Sequence, residues 1–166
     1  NFLVTNPQTT SVQITYTING GPPIYQNIPA NTTFPIPVNT SVPNTYLYNV
    51  TQVQYQNTPN CPNPVNLTPT VAVLQTPTVS ISGTATVCQN DAQPQITFSN
   101  TQPTPITVVY NINGSNQTSI NVGANSSQSV SVSTLNPGVF VYNLVSVSYQ
   151  GSISCSNNVT GSATIT

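Results

Sequence analysis

YTING (Tyr16–Gly20) and YNING (Tyr110–Gly114) are one pentapeptide with a single substitution, and their tyrosines lie 94 positions apart. The same offset carries Ala30-Asn31 onto Ala124-Asn125, Tyr48-Asn49 onto Tyr142-Asn143, Tyr55-Gln56 onto Tyr149-Gln150 and Cys61 onto Cys155. Short coincidences are common in a chain rich in Asn, Thr and Ser. A register that holds without gaps and includes a cysteine marks an internal duplication.

Each pentapeptide reads as a strand running into a hairpin. Asn19-Gly20 and Asn113-Gly114 supply the positive φ angles that a two-residue hairpin turn requires. Working outward in the second copy, TVSISGTATV (Thr78–Val87) and QSVSVS (Gln128–Ser133) place apolar residues at every second position. That is the period of a strand with one buried face. Further strands are expected at Gln95–Ser99, Ile106–Ile112, Thr118–Val122, Val139–Tyr149 and Thr160–Thr166, and helical spacing is absent. Short, closely spaced strands without helices point to an all-β fold of tandem immunoglobulin-like β-sandwich domains.

Under the offset, Asn1 corresponds to Gln95, so the first copy has no counterpart of Thr78–Pro94. We expect residues 1–75 to form a repeat lacking its first strand and residues 76–166 to form a complete one. LQTPT (Leu74–Thr78) is the joint; it contains Pro77 and no Gly-Ser tract, which predicts a semi-rigid connection. The incomplete copy exposes an apolar slot and unpaired backbone groups. Either the chain is a window on a longer array, or another chain fills the slot, as in donor-strand polymers.

The 166 residues hold no Lys, Arg or His and a single acid, Asp91, for a net charge of −1. General acid–base catalysis and activated nucleophiles need titratable partners that are missing here, so the chain is expected not to be an enzyme and to have no catalytic residues. Three scattered Cys and one Asp offer no metal site, and no cofactor is expected. Without basic residues there is no electrostatic hold on nucleic acid. No run of apolar residues is long enough to insert this segment into a membrane.

Cys88 and Cys155 fall in one repeat, so a disulfide between them is expected, which leaves Cys61 unpaired in this chain. Three free thiols, or a Cys61–Cys88 bridge, are the alternatives. Asp91, in an Asn-rich turn, is expected to cap its own backbone. Tyr46, Tyr48, Tyr55, Tyr142 and Tyr149 are candidates for a sugar-stacking platform or for core packing. Tyr46 and Tyr48 share parity and Tyr55 does not, so no continuous stripe is expected. Candidate glycan acceptors stand in Asn-x-Ser/Thr sequences at Asn31, Asn39, Asn113, Asn116 and Asn125, with further matches at Asn49, Asn66 and Asn158. In a chain of this composition such matches arise by chance in similar number.

TVCQNDAQPQITFSN, YNINGSNQTSINV, FVYNLVSVSY and CSNNVTGSATIT together resemble the tandem immunoglobulin-like repeats of giant Bacteroidetes surface adhesins, the SprB-like gliding adhesins. The resemblance implies secretion, display on the cell surface, and filaments of repeated domains whose partners are neighbouring copies of the same repeat. A structural spacer in an extracellular adhesin is the function expected; a module binding surface glycans, or a subunit of a donor-strand polymer, is the alternative.

Overall fold

A computed structural model describes residues 1–151 and 155–166. The chain divides into two compact units, Asn1–Gln75 and Thr76–Thr166. Both are β-sandwiches, and no helix occurs among the described residues.

The second unit holds β8 (Ser80–Ser82), β9 (Gln95–Asn100), β10 (Ile106–Ile112), β11 (Ser115–Asn116), β12 (Ile120–Val122), β13 (Ser126–Ser131), β14 (Phe140–Tyr149), β15 (Ser156–Asn158) and β16 (Ser162–Ile165). One sheet has the order β13-β9-β8; in the other, β10 and β14 are central neighbours flanked by β11, β12, β15 and β16. This partition is that of an immunoglobulin-type sandwich. Ile96 and Phe98 from the first sheet meet Val108, Tyr110, Tyr142 and Leu144 from the second in one core. Phe98 and Tyr110 lie 4.9 Å apart between ring centroids, and Tyr110 stacks on Tyr142 at 6.2 Å.

The first unit repeats this plan with β1 (Phe2–Asn6), β2 (Val12–Ile18), β3 (Ile24–Ile28), β4 (Thr32–Ile36), β5 (Asn44–Tyr55), β6 (Asn63–Leu67) and β7 (Thr70–Val73). Its pairings carry the 94-residue offset strand for strand. Val12 faces Tyr55 as Ile106 faces Tyr149, and the irregularity after Thr15 recurs after Val109. Phe2 faces Ile36 as Ile96 faces Val130, and Tyr46 faces Val71 as Phe140 faces Ile165.

Thr78–Val87, expected as one strand, is two. Ser80–Ser82 pairs with β9, after which the chain crosses to the other sheet, where Ala85 bridges Ile165 in parallel. Gly83 makes the crossing: it has φ +111°, and a Cβ there would collide with the Gln95 carbonyl. Alternation in sequence does not register a glycine that redirects the backbone without interrupting the period. β11 and β15 were not expected, being two and three residues long.

One buried asparagine completes each unit. Asn100 Nδ2 donates to the carbonyls of Thr104 (3.0 Å) and Gly123 (2.8 Å), while its Oδ1 accepts from Gln102 N (2.9 Å). Asn6 does the same with Thr10, Ile28, Pro29 and Gln8. Both are almost fully buried, at 2% and 3% exposure. The signal was present as Asn-x-Gln-x-Thr at 6–10 and again at 100–104.

Asn100→Ala is expected to lower stability by roughly 2 kcal/mol or more, because it strands a buried N–H and two carbonyls. Asn100→Asp should be as damaging at neutral pH, where a carboxylate faces two carbonyl oxygens, and should partly recover in acid as the carboxyl regains a donor. Chemical denaturation of both variants at two pH values checks this; an Asn100→Ala midpoint equal to that of the parent would refute the role.

Candidate functional site

The hairpin residues do what the pentapeptides promised. Asn19 and Gly20 have φ of 51° and 71°, Asn113 and Gly114 of 49° and 85°. Each asparagine also clamps the neighbouring strand: Asn113 N donates to Val141 O (2.9 Å) and Oδ1 accepts from Val141 N (2.8 Å), as Asn19 does with Leu47. Asn113 Nδ2 is bonded to Val139 O (2.9 Å), so a glycan on that nitrogen would take it from a structural bond. Asn31, Asn39, Asn116 and Asn125 are all exposed; Asn31 and Asn125 occupy matching turns with positive φ. Asn49 Oδ1 is buried without a hydrogen-bond partner, which sets that sequence match apart from the surface ones.

The cysteine pairing is corrected: Cys61, Cys88 and Cys155 are all free. The reason is topological. Cys88 follows Val87, whose N–H reaches Thr166 O, beside the Ile165–Phe140 pair at the start of β14. Cys155 O accepts from the N–H of Tyr149, the last residue of β14. The ten-residue β14, about 30 Å at the rise of a strand, separates the two thiols. A disulfide needs Cα atoms within about 7 Å.

Asp91 sits in its turn as expected. Its Oδ2 accepts from Cys88 N (3.2 Å), and its backbone carbonyl accepts from Thr134 Oγ1 (2.8 Å). Among the described residues, no group of three or more His, Cys, Asp or Glu could hold a metal ion.

The tyrosines lie mostly inside. Tyr48, Tyr142 and Tyr149 are 1%, 4% and 7% exposed and belong to the cores, while Tyr55 is exposed. Tyr48 and Tyr55 face differently and form no continuous stripe; in the second unit Tyr142 and Tyr149, also of opposite parity, both face inward because the register slips between them. Core rings offer no surface on which a sugar can stack. Burial pushes the hydroxyls of Tyr16, Tyr48, Tyr142 and Tyr149 above the ordinary tyrosine value; around Tyr48 the neighbouring Tyr16 and Tyr46 add to this, and at Tyr149 a bond with Gln102 opposes it.

A large apolar concavity lies in the first unit. It has a volume of about 520 Å³ and is walled by Phe2, Val4, Val53, Val65 and Leu67. In the second unit the corresponding seam is filled, since Val79, Ile81, Ala85 and Val87 pack against its core. Burial records the difference. Ile96, Phe98 and Val147 are 0%, 0% and 1% exposed, whereas their counterparts Phe2, Val4 and Val53 are only half-buried. The edge of β1 is open, because β1 pairs only with β4, whereas β9 pairs with both β13 and β8.

No protein-family model matches the sequence, and no curated protein matches it. A solved structure described as "Biofilm associated protein - BSP domain" is 16% identical with a TM-score of 0.31, a likeness too loose to carry an argument. It covers 98% of this chain, which spans 28% of that one.

Two outcomes are expected in solution. Mass spectrometry before and after reduction should give the same mass, with Cys61 and Cys88 labelled rapidly in the native state; Cys88→Ser under non-reducing conditions should change stability by less than about 0.5 kcal/mol, against the roughly 2–5 kcal/mol of a lost native disulfide. The buried tyrosines are neutral in the folded state, so their stabilisation is complete below the ordinary tyrosine value near pH ~10 and declines as pH rises through their elevated values. A denaturation midpoint that does not fall on titration above that range would contradict this.

Proposed function

We propose that the chain is a structural repeat segment of an extracellular, filamentous surface adhesin, acting as an unstapled spacer. The observation that carries this reading is the reproduction of one sandwich in the same register at a fixed offset, down to the β-bulge and the buried asparagine. A chain devoted to chemistry would differ between copies at the reacting groups; here the shared positions are those that build the sandwich.

The entry into the second unit supports stiffness. Thr78 N donates to Gln102 Oε1 (2.8 Å), Gln102 Nε2 to Thr76 O (3.0 Å) and Asn157 Nδ2 to Pro77 O (3.2 Å). Pro77 is itself buried. Thr76–Thr78 is therefore held down on the body of its own unit. With one acid and no bases there is almost nothing for salt to screen, so reach and stiffness would be the same at low and high ionic strength. The near-zero net charge also leaves lateral association between copies unopposed.

Antibodies against this chain are expected to label intact, non-permeabilised cells along extended surface fibres. Small-angle scattering of the chain should be superimposable from dilute buffer to ~1 M salt. Labelling confined to permeabilised cells would sink the surface reading, and a salt-dependent change of dimensions would sink the mechanical one.

A further inference from the structure

The groove of the first unit and the filled seam of the second are the same place in the repeat. In the second unit Ser80, Ile81 and Ser82 pair with Ser99, Phe98 and Thr97 on one sheet. Beyond Gly83, Ala85 N donates to Thr164 O (3.0 Å), Thr166 N to Ala85 O (3.0 Å) and Val87 N to Thr166 O (2.9 Å) on the other. The matching positions in the first unit are Thr5, Val4 and Leu3 on β1, and Thr70 and Ala72 on β7. Both edges lack a second strand neighbour, since β1 pairs only with β4 and β7 only with β5. The open edge of β1, which lines the apolar groove, and the open edge of β7, which is in register with the strand that Ala85 and Val87 join, together offer ladder hydrogen bonds to an extended strand whose alternate side chains the groove would bury.

We propose that this groove takes a β-strand in cis: a segment running into Asn1 from its N-terminal side, seated as Val79–Val87 is seated before Gln95. The proposal deepens the repeat reading above and rests on it. The occupant's side chains follow from the second unit. It carries apolar residues where Val79 packs and at the positions of Ala85 and Val87. It carries a glycine opposite Asn1, because a Cβ at Gly83 would run into the backbone of Gln95, the counterpart of Asn1.

One difference between the units selects the source. Gly161, whose Cβ would lie 3.2 Å from Leu144 Cδ1 and 3.3 Å from Ile81 Cγ2, is replaced in the first unit by Leu67, which lines the groove and is 61% exposed. A residue the size of Ile81 would be crowded by Leu67. The Thr78–Val87 strand of a second copy therefore fits poorly, besides being already seated in its own unit. The segment that fits has a smaller side chain at that point, such as alanine.

The test extends the full chain at its N-terminus with a copy of Thr78–Pro94 carrying Ile81→Ala, and follows native-state amide exchange in both units. Those amides of Leu3–Thr5 that point away from β4 are expected to slow by ~10-fold or more, as an open edge joins a ladder. Exchange in β9 serves as the internal control for folding. Adding Gly83→Val to the appended copy should abolish the protection, and restoring Ile81 should weaken it. Sedimentation of the unextended chain should give a monomer with fast-exchanging β1 amides. Unprotected β1 in the extended chain overturns the proposal, as does equal protection from the Gly83→Val copy. Equal protection with Ile81 retained overturns the choice of source, and so does an unextended chain that associates with β1 protected, which would assign the groove to a second copy. None of these results alters surface labelling, so failure here and failure of the adhesin reading remain distinguishable.

Discussion

Everything in this molecule depends on closing two sheets over an apolar seam. With a single carboxylate and no cationic side chain, no ion pair between side chains is available to fix the sheets, and the described thiols form no cross-link. What remains is burial of aromatic and β-branched side chains, worth about 25 cal/mol per Å² of apolar surface. The second unit closes the seam with four residues of its opening segment and sequesters Ile96 and Phe98 completely. The first unit, with an equivalent pair of sheets, leaves Phe2 and Val4 half open. The contrast marks what the opening segment covers in the second unit.

Side-chain amides take over the roles that charges serve elsewhere. Asn19 and Asn113 hold the hairpins against the long strand, Asn6 and Asn100 bind the loops after β1 and β9, and Gln102 fastens the entry to the second unit. An amide offers both donors and acceptors in a fixed plane. One side chain can therefore satisfy several backbone groups in a dry environment without the desolvation cost of an ion.

Much of the fold was legible in the sequence. The offset and the strand alternation led to two sandwiches, and the Asn-Gly pairs led to the hairpins, because period and turn chemistry are local properties. What was misread is non-local. The thiols of Cys88 and Cys155 share a repeat, but spacing along a chain says nothing about which end of a sandwich each occupies. Parity alone does not place Tyr142 and Tyr149, because a bulge adds one residue and reverses the facing beyond it. Gly83 sits within an unbroken alternation, and its change of sheet follows from backbone conformation that hydropathy does not encode. The open groove was foreseeable as a missing strand. That Leu67 restricts what enters it required knowing that Gly161 faces Ile81.

The parallel bridge between Ala85 and Ile165 has a mechanical consequence. The opening segment and the closing strand of the second unit lie side by side and point the same way, and three backbone bonds join them between Ala85, Val87, Thr164 and Thr166. Tension applied through the two ends of this unit pulls these neighbours in opposite directions along their length. The bonds are then loaded in shear and must give together, whereas an antiparallel pair drawn apart from one end unzips one bond at a time. A unit built this way resists extension by its geometry rather than by its overall stability.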